Sequence, residues 1–169
     1  MRRLSIYGLL VVAGAACFWV GAAGQQGKVR AATLTAFRIF NPDTMAKPTA
    51  GYSQVAEVRS GKLVYIAGQV ALDKSGNLVG KDDFRGQVQQ VFENLKSGVE
   101  ASGGTFRDVV KLNFYCAESV DPAQIPAVRE IRDKYVNTAN PPTSTFVVVK
   151  RLVRPEWMIE VEAVAVVKQ

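Results

Sequence analysis

The chain has 169 residues, enough for one domain with a substantial hydrophobic core. It carries 21 Lys and Arg against 15 Asp and Glu, a formal net charge of +6, but the basic residues form no run, so we expect no nucleic-acid partner. The absence of histidine excludes histidine-dependent triads, and there is no CxxC or glycine-rich phosphate-binding motif, so we expect no metal and no cofactor.

The first 24 residues have the layout of a secretory signal peptide. A basic start at Arg2 and Arg3 precedes an almost wholly apolar run, residues 4–23, and residues 20–22 fit the small-residue cleavage rule. The run is also nearly long enough to span a bilayer, so an uncleaved membrane anchor is the alternative. We therefore expect an exported protein, periplasmic or extracellular, that meets a membrane only if this segment is retained.

The next segments predict a linker followed by the start of the domain. Residues 25–50 are mixed in composition and contain two X-Pro turns, which predicts a linker and places the domain at residues 51–169. Residues 52–58 alternate in polarity and predict a strand, residues 62–70 predict a second strand, and the Ser-Gly turn between them favours a hairpin. Gly68, inside the second strand, indicates a β-bulge or a close backbone approach to a ligand.

Two helices are predicted in the middle of the chain, with a strand between them at residues 109–117. The first helix begins after Asp82-Asp83, which we interpret as a cap and not a metal site, and it carries one apolar stripe. The strand contains Cys116, which we interpret as a buried hydrophobe. The second helix opens at Asp121-Pro122, and its charged residues are interpreted as its solvated face. These charged residues are Arg129, Glu130, Arg132, Asp133 and Lys134.

The C-terminal part of the chain predicts two strands, residues 143–150 and 158–167, both rich in β-branched residues. Pro155 lies between them, which favours a hairpin with an irregular loop. The second strand carries Glu160 and Glu162, which point to the same face because side chains alternate along a strand. Such carboxylates indicate a functional site, a polar subunit interface or ion pairs with a nearby cation. The candidate cations are Lys111, Lys150 and Arg151.

The order of these elements, β-β-α-β-α-β-β, predicts an α+β domain with a mixed sheet and two helices packed on one face. Further sequence marks lie at Tyr52 and at residues 64–69, 91–95, 108–111, 142–145 and 159–165. In these blocks, and in their order along the chain, the sequence resembles the Rid family, also called YjgF/YER057c. The resemblance covers roughly residues 52–167 and implies a chorismate-mutase-like fold, a homotrimer, and ligand clefts between neighbouring subunits.

The resemblance also implies an activity and a set of site residues. The members that it resembles best hydrolyse reactive enamines and imines to 2-oxo acids and ammonia. By resemblance, Glu160 is the catalytic glutamate that handles the attacking water, and Tyr52 and Gly68 lie beside the cleft. The deaminating members carry Pro-x-Arg-[Ser/Thr], whose arginine binds the substrate carboxylate, but Ser144 occupies that position here. A hydroxyl cannot form a charged bidentate pair, a loss of about 2–5 kcal/mol in a desolvated site.

Three functions are therefore compatible with the sequence. The first expectation is a Rid-fold protein without the deaminase arginine that binds a small, less acidic ligand through Tyr52, Gly68, Ser144 and Glu160. The alternative is an active 2-iminobutanoate or 2-iminopropanoate deaminase, in which another cation replaces the arginine. The third is a structural or interaction trimer without catalysis.

Overall fold

The computed structural model of the protein describes residues 35–169, so the predicted signal peptide or anchor, residues 1–24, lies outside the described residues. Within this range the chain forms six β-strands and two α-helices. In chain order these are β1 (Phe37–Phe40), β2 (Val55–Val58), β3 (Lys62–Gln69), α1 (Phe84–Ala101), β4 (Val109–Ala117), α2 (Pro126–Arg132), β5 (Thr143–Val149) and β6 (Ile159–Val167). Short 3-10 turns precede β4 and α2.

The main sheet has four strands in the order β3-β6-β4-β5, which confirms the predicted α+β fold with a mixed sheet. Strand β6 is antiparallel to both β3 and β4, and β5 is parallel to β4. The predicted hairpin between the last two strands is wrong, because β4 lies between β5 and β6. Parallel pairing of β4 with β5 requires a crossover, and the segment that contains α2 supplies it.

A small second sheet pairs β1 with β2 in antiparallel register. The predicted hairpin between β2 and β3 is therefore wrong, since β2 pairs with β1 and β3 pairs with β6. Strand β1 lies within residues 25–50, which the sequence predicted to be linker and loop. Ala36, beside β1, packs against Val110 and Val166, so the small sheet covers one end of the main sheet.

The hydrophobic core lies between one face of the main sheet and the helices. The predicted apolar stripe of α1 is buried, from Phe84 at 2% exposed to Leu95 and Val99 at 0%. It packs in one cluster with β4 and β6 side chains such as Leu112 and Val161. Among residues 35–169, no helix combines the length and the hydropathy needed to cross a membrane.

The opposite face of the main sheet carries polar and apolar side chains that no helix of residues 35–169 covers. Leu63 and Tyr65 on β3 are 48% and 75% exposed there. Their register partners on β6 are Val166 and Val164, and the alternation along β6 places Glu160 and Glu162 on the same face. We call this surface the open face. The predicted shared orientation of the two glutamates is confirmed.

Candidate functional site

The four candidate residues lie in two separate regions of the structure. They are Tyr52, Gly68, Ser144 and Glu160. Ser144 is paired with Leu112, whose side chain is fully buried under the helices, so Ser144 points to the helix side of the sheet. Glu160 is paired with Tyr115, an odd number of residues along β4 from Leu112, and therefore points to the open face. One chain alone does not bring the serine and the glutamate together.

The first place is a cleft of about 580 Å³ between β5 and α2, in which Ser144 and Tyr52 both line the wall. Tyr52 is held there by the segment around it. The Ser53 amide donates to the Pro142 carbonyl at 3.3 Å, and Ser53 bridges to Thr143 as an isolated parallel pair. Ser53, the neighbour of Tyr52, thus connects this segment to the start of β5 at the rim of the cleft.

Most of the cleft wall is apolar. Phe114 on β4 stacks against Phe146 on β5, with ring centroids 5.7 Å apart. Ile125, Pro126 and Val128 supply the opposite wall from the start of α2. A cavity of this size and lining is typical of sites for small organic molecules, in which a few polar groups fix the orientation.

The polar groups of the cleft include two guanidinium groups that were predicted to lie on the solvated face of the second helix. Arg129 and Arg132 on α2 line the same cleft as Ser144. The side chain of Arg129 is 58% exposed, as a solvated helix face predicts, but that of Arg132 is only 8% exposed, so for Arg132 the prediction is wrong. The reason is helical geometry: Arg132 follows Val128 by four residues and shares its inward-facing side. That i, i+4 relation is the signal that could have found it.

The second place is the contact between Gly68 and Glu160 at the edge of the open face. A β-bulge lies between Ile66 and Gln69 in β3, as Gly68 in the strand predicted. A Cβ built on Gly68 would lie 1.9 Å from Glu160 Oε1, so only glycine leaves room for the carboxylate. The close approach at Gly68 is therefore made by a side chain of the same protomer.

The two carboxylates of β6 have different surroundings. Glu162 Oε1 accepts hydrogen bonds from Asn113 Nδ2 at 2.5 Å and from the Tyr115 hydroxyl at 3.2 Å. Burial, and then the hydrogen bond to Glu162, raise the pKa of Tyr115 above its ordinary value. Within the described part of the chain Glu160 has no counterpart to these bonds, so its carboxylate is available to accept a proton or orient a water.

Of the alternatives for Glu160 and Glu162, the ion pairs are not formed in the part of the chain that the structure describes, in which no salt bridge includes either residue. Lys150 instead pairs with Glu118 at 2.6 Å, and Lys111 donates to Thr145 Oγ1 at 3.2 Å. Arg151 Nη1 donates to the backbone carbonyls of Leu152 and Val153.

A thiol nucleophile and a metal site would be two other sources of chemistry in this chain. Cys116 is 1% exposed, and burial raises the pKa of its thiol to about 11, so it is a buried hydrophobe as predicted and not a nucleophile. No cluster of three or more His, Cys, Asp or Glu side chains within residues 35–169 could hold a metal ion.

Several known proteins are similar in sequence to this chain. Residues 43–167 match a family model described as endoribonuclease L-PSP. A RutC family protein of Pyrococcus horikoshii is 36% identical over 120 residues, which cover 70% of this chain and 89% of that protein. A protein of Dermatophagoides farinae named 2-iminobutanoate/2-iminopropanoate deaminase is 30% identical over 131 residues, which cover 78% and 97% of the two chains.

Among solved structures, the chain is similar to a protein of unknown function of the conserved Rid family from Yersinia pestis. The TM-score is 0.71 at 36% sequence identity, and the match covers 79% of this chain and all of that one. The likeness therefore extends over the whole neighbouring protein. The family-model match, residues 43–167, includes both places at which the candidate residues lie.

Proposed function

The chain belongs to the Rid family, and from that premise we propose that it forms a homotrimer that binds a small organic molecule in clefts completed by two neighbouring subunits. The observation that supports this is the separation of the candidate residues into two half-sites. One half-site is the cleft of Tyr52 and Ser144, and the other is the contact of Gly68 with Glu160. A second copy of the chain can present its glutamate half to the cleft half of the first.

The open face favours assembly of this kind. Tyr65 at 75% exposed and Leu63 at 48% exposed lie on it, together with half-buried Val164. The Oδ1 atom of Asn113 is buried there without a hydrogen-bond partner in residues 35–169. Covering this face with another subunit would bury the apolar side chains and could offer a donor to the asparagine.

Sedimentation or mass photometry of the full chain tests the assembly. We expect a species of three chains that persists on dilution. The variant Tyr65→Asp places a charge in the middle of the open face and should shift the population to monomers. The variant Lys74→Asp, in the exposed turn after β3, is the matched control and should remain trimeric. A wild-type monomer would overturn the proposal.

Hydrolysis of small 2-imino acids is the second candidate function. It is favoured by the Glu160 carboxylate, which lacks the hydrogen bonds that hold Glu162 within residues 35–169, and by the name of the Dermatophagoides farinae relative. In this mechanism Glu160 takes a proton from water as the water attacks the imine carbon, and the nitrogen takes up a proton as the C=N bond becomes single. Glu160 then gives its proton to the nitrogen of this carbinolamine, and the C–N bond breaks as the C=O bond forms from the hydroxyl, which loses its proton. The products are the 2-oxo acid and ammonia.

The assay generates 2-iminopropanoate in the cuvette and follows its decay with and without protein. We expect acceleration by the wild type and its loss in Glu160→Gln. Glu118→Gln changes an exposed carboxylate on a loop by the same atoms and should keep the wild-type rate. Equal rates with and without the wild-type protein would leave ligand binding without turnover as the function.

Export of the chain is a separate proposal that rests on its first 24 residues. The basic start, the apolar run and the small residues at 20–22 support a cleaved signal, with a retained anchor as the alternative. Cell fractionation and N-terminal sequencing of the mature protein test it. Recovery of the uncleaved chain in the soluble cytoplasmic fraction would contradict it.

A further inference from the structure

We infer that Arg132, assisted by Arg129, binds the carboxylate of the ligand in the β5–α2 cleft, and that the ligand carries an aromatic or branched apolar body. The inference rests on the proposed ligand-binding function and names the class of ligand: an organic acid with an apolar body. It also assigns the binding of the acid to α2, since Ser144 on β5 has no charge with which to bind it.

The burial of Arg132 is the first observation. Its side chain is 8% exposed, and taking a guanidinium out of water is unfavourable unless charged partners compensate. Its carboxylate partner in the described part of the chain is the adjacent Asp133, whose Oδ1 accepts from Nε at 2.9 Å and from Nη2 at 2.5 Å. The bonded atoms are Nε and Nη2, and within residues 35–169 Nη1 has no such bond, so the guanidinium keeps donors for another acceptor.

The second observation is an excess of positive charge at this rim. The other oxygen of Asp133 lies 3.6 Å from Arg129 Nε, so one carboxylate serves two guanidinium groups. The two Nη2 atoms also converge, because each lies 3.0 Å from the position of a Cβ built on Gly51. Two cations and one anion beside a cavity favour an anionic ligand group.

Third, the wall opposite the arginines contributes neutral hydroxyl groups. Ser144 and Tyr52 line the same cleft and each can donate a hydroxyl hydrogen bond. A carboxylate has two oxygens and about four acceptor positions, so it can engage the arginines and a hydroxyl together. Ser144 is then a second donor to the ligand, while the charge comes from α2.

The apolar lining of the cleft indicates the chemical character of the rest of the ligand. Phe114 and Phe146 stack on one side, and Ile125, Pro126 and Val128 lie on the other. A two- or three-carbon acid would leave most of a cavity of about 580 Å³ filled by water against apolar walls. An acid with a ring or a branched chain fills it and gains the stabilisation that burial of apolar surface gives.

Isothermal titration of the full chain with three probes tests the inference. The probes are phenylacetate, its neutral counterpart phenylacetamide, and acetate. We expect phenylacetate to bind at least about tenfold more tightly than either of the others, because only phenylacetate has both the charge and the apolar body. Equal binding of phenylacetate and phenylacetamide would overturn the role of the arginines, and equal binding of phenylacetate and acetate would overturn the role of the apolar wall.

Single variants then test whether Arg132 supplies the positive charge that binds phenylacetate. Arg132→Gln should weaken phenylacetate at least about tenfold and leave phenylacetamide unchanged. Lys134→Gln removes the same charge from an exposed position two residues later and is the matched control, for which we expect less than a twofold change. If Arg132→Gln fails to fold, exposed Arg129→Gln replaces it, with an expected loss of about threefold to tenfold. Equal effects of the α2 variant and the control would refute the inference.

Failure of this inference differs from failure of the proposed function. If no probe binds but the chain hydrolyses 2-iminopropanoate in a Glu160-dependent way, the ligand class is wrong and the cleft is functional. If phenylacetate binds through Arg132 to a chain that sediments as a monomer, the ligand class stands and the inter-subunit cleft is refuted.

Discussion

The carboxylate of Glu160 lies directly over the α-carbon of Gly68, so close that a Cβ at position 68 would come within 1.9 Å of Oε1 and 2.7 Å of Cδ. No rotation of a methyl group relieves such a contact, so either the strand or the glutamate must move. The residue that makes the bulge in β3 therefore also sets the position of the candidate catalytic group. This relationship ties the backbone of one strand to the chemistry of another.

Gly68→Ala should consequently displace Glu160 with little loss of fold. We expect Glu160-dependent imine hydrolysis to fall at least about tenfold, because small displacements of a catalytic group have large effects on rate. The matched control is Gly98→Ala in α1, where the new Cβ would lie 3.4 Å from Ile66 side-chain atoms. Alanine in a helix interior is favoured over glycine by about 1 kcal/mol, so the control should keep its activity and melt slightly higher. Full activity in Gly68→Ala would show that the contact has no functional role.

The position of the charge in the cleft can be tested by exchange between α2 and β5. In Arg132→Gln with Ser144→Arg, the cation returns from the other wall of the same cleft. We expect the double variant to bind phenylacetate within about threefold of the wild type, whereas Arg132→Gln alone binds it at least about tenfold more weakly. Titration of the two single variants and the double variant forms the complete cycle. Strict additivity of the two changes would mean that the residues do not share a ligand.

The sequence predicted the parts of the fold that depend on local periodicity. The α1 stripe and the strand at residues 109–117 were found because their apolar side chains recur with the period of the element. Strand neighbours were not found, because periodicity does not say which strand lies alongside another. Both predicted hairpins failed for this reason, and β1 was missed because a strand of only four residues carries almost no periodic signal.

In the candidate site, too, some features could be predicted from the sequence and others could not. Gly68 was recognised because glycine weakens the interior of a strand, so its presence there indicates a bulge or a close approach. The burial of Arg132 was not predicted, because a guanidinium favours a solvated helix face, although a position four residues after buried Val128 indicates the inner side of the helix. The separation of Ser144 from Glu160 onto opposite faces could not be predicted, since it depends on the register of β5 and β6 with β4.

A buried glutamine holds the loop before β6 against α1. Gln87 is fully buried; its Nε2 donates to the Glu156 carbonyl at 2.9 Å, and its Oε1 accepts from the Met158 amide at 2.9 Å. Gln87→Leu keeps the volume but leaves these backbone groups unpaired, so we expect a loss of about 2–4 kcal/mol in the free energy of unfolding. Gln90→Ala, a partly exposed position on the same helix, should cost less than about 1 kcal/mol. Urea denaturation measures both, and similar values would refute the role of Gln87.

The thiol of Cys116 predicts a dependence of stability on alkaline pH. Burial raises its pKa from 9.0 to about 11, so the folded chain holds the proton more tightly than the unfolded chain. The contribution is therefore fully present below pH 9 and is lost as the pH rises from about 9 to about 11. We expect about 2–3 kcal/mol from this group.

Denaturation of wild type and Cys116→Ala at several pH values between 8 and 11 isolates this contribution. The raised pKa of Tyr115 acts in the same direction at higher pH and is common to both proteins. The difference in unfolding free energy between them should shrink as the pH rises. A constant difference would show that the thiol titrates with the same pKa in the folded and the unfolded chain, so that burial does not raise this pKa.

The most direct test of the inter-subunit cleft is a crystal structure of the full chain soaked with phenylacetate. We predict a trimer in which one ligand molecule contacts Arg132 of one subunit and lies beside Glu160 of the partner subunit. The opposite result is a structure in which Glu160 faces solvent or the interior of its own subunit, away from any cleft that contains Arg132. That arrangement would contradict the account, because the two half-sites would then never meet.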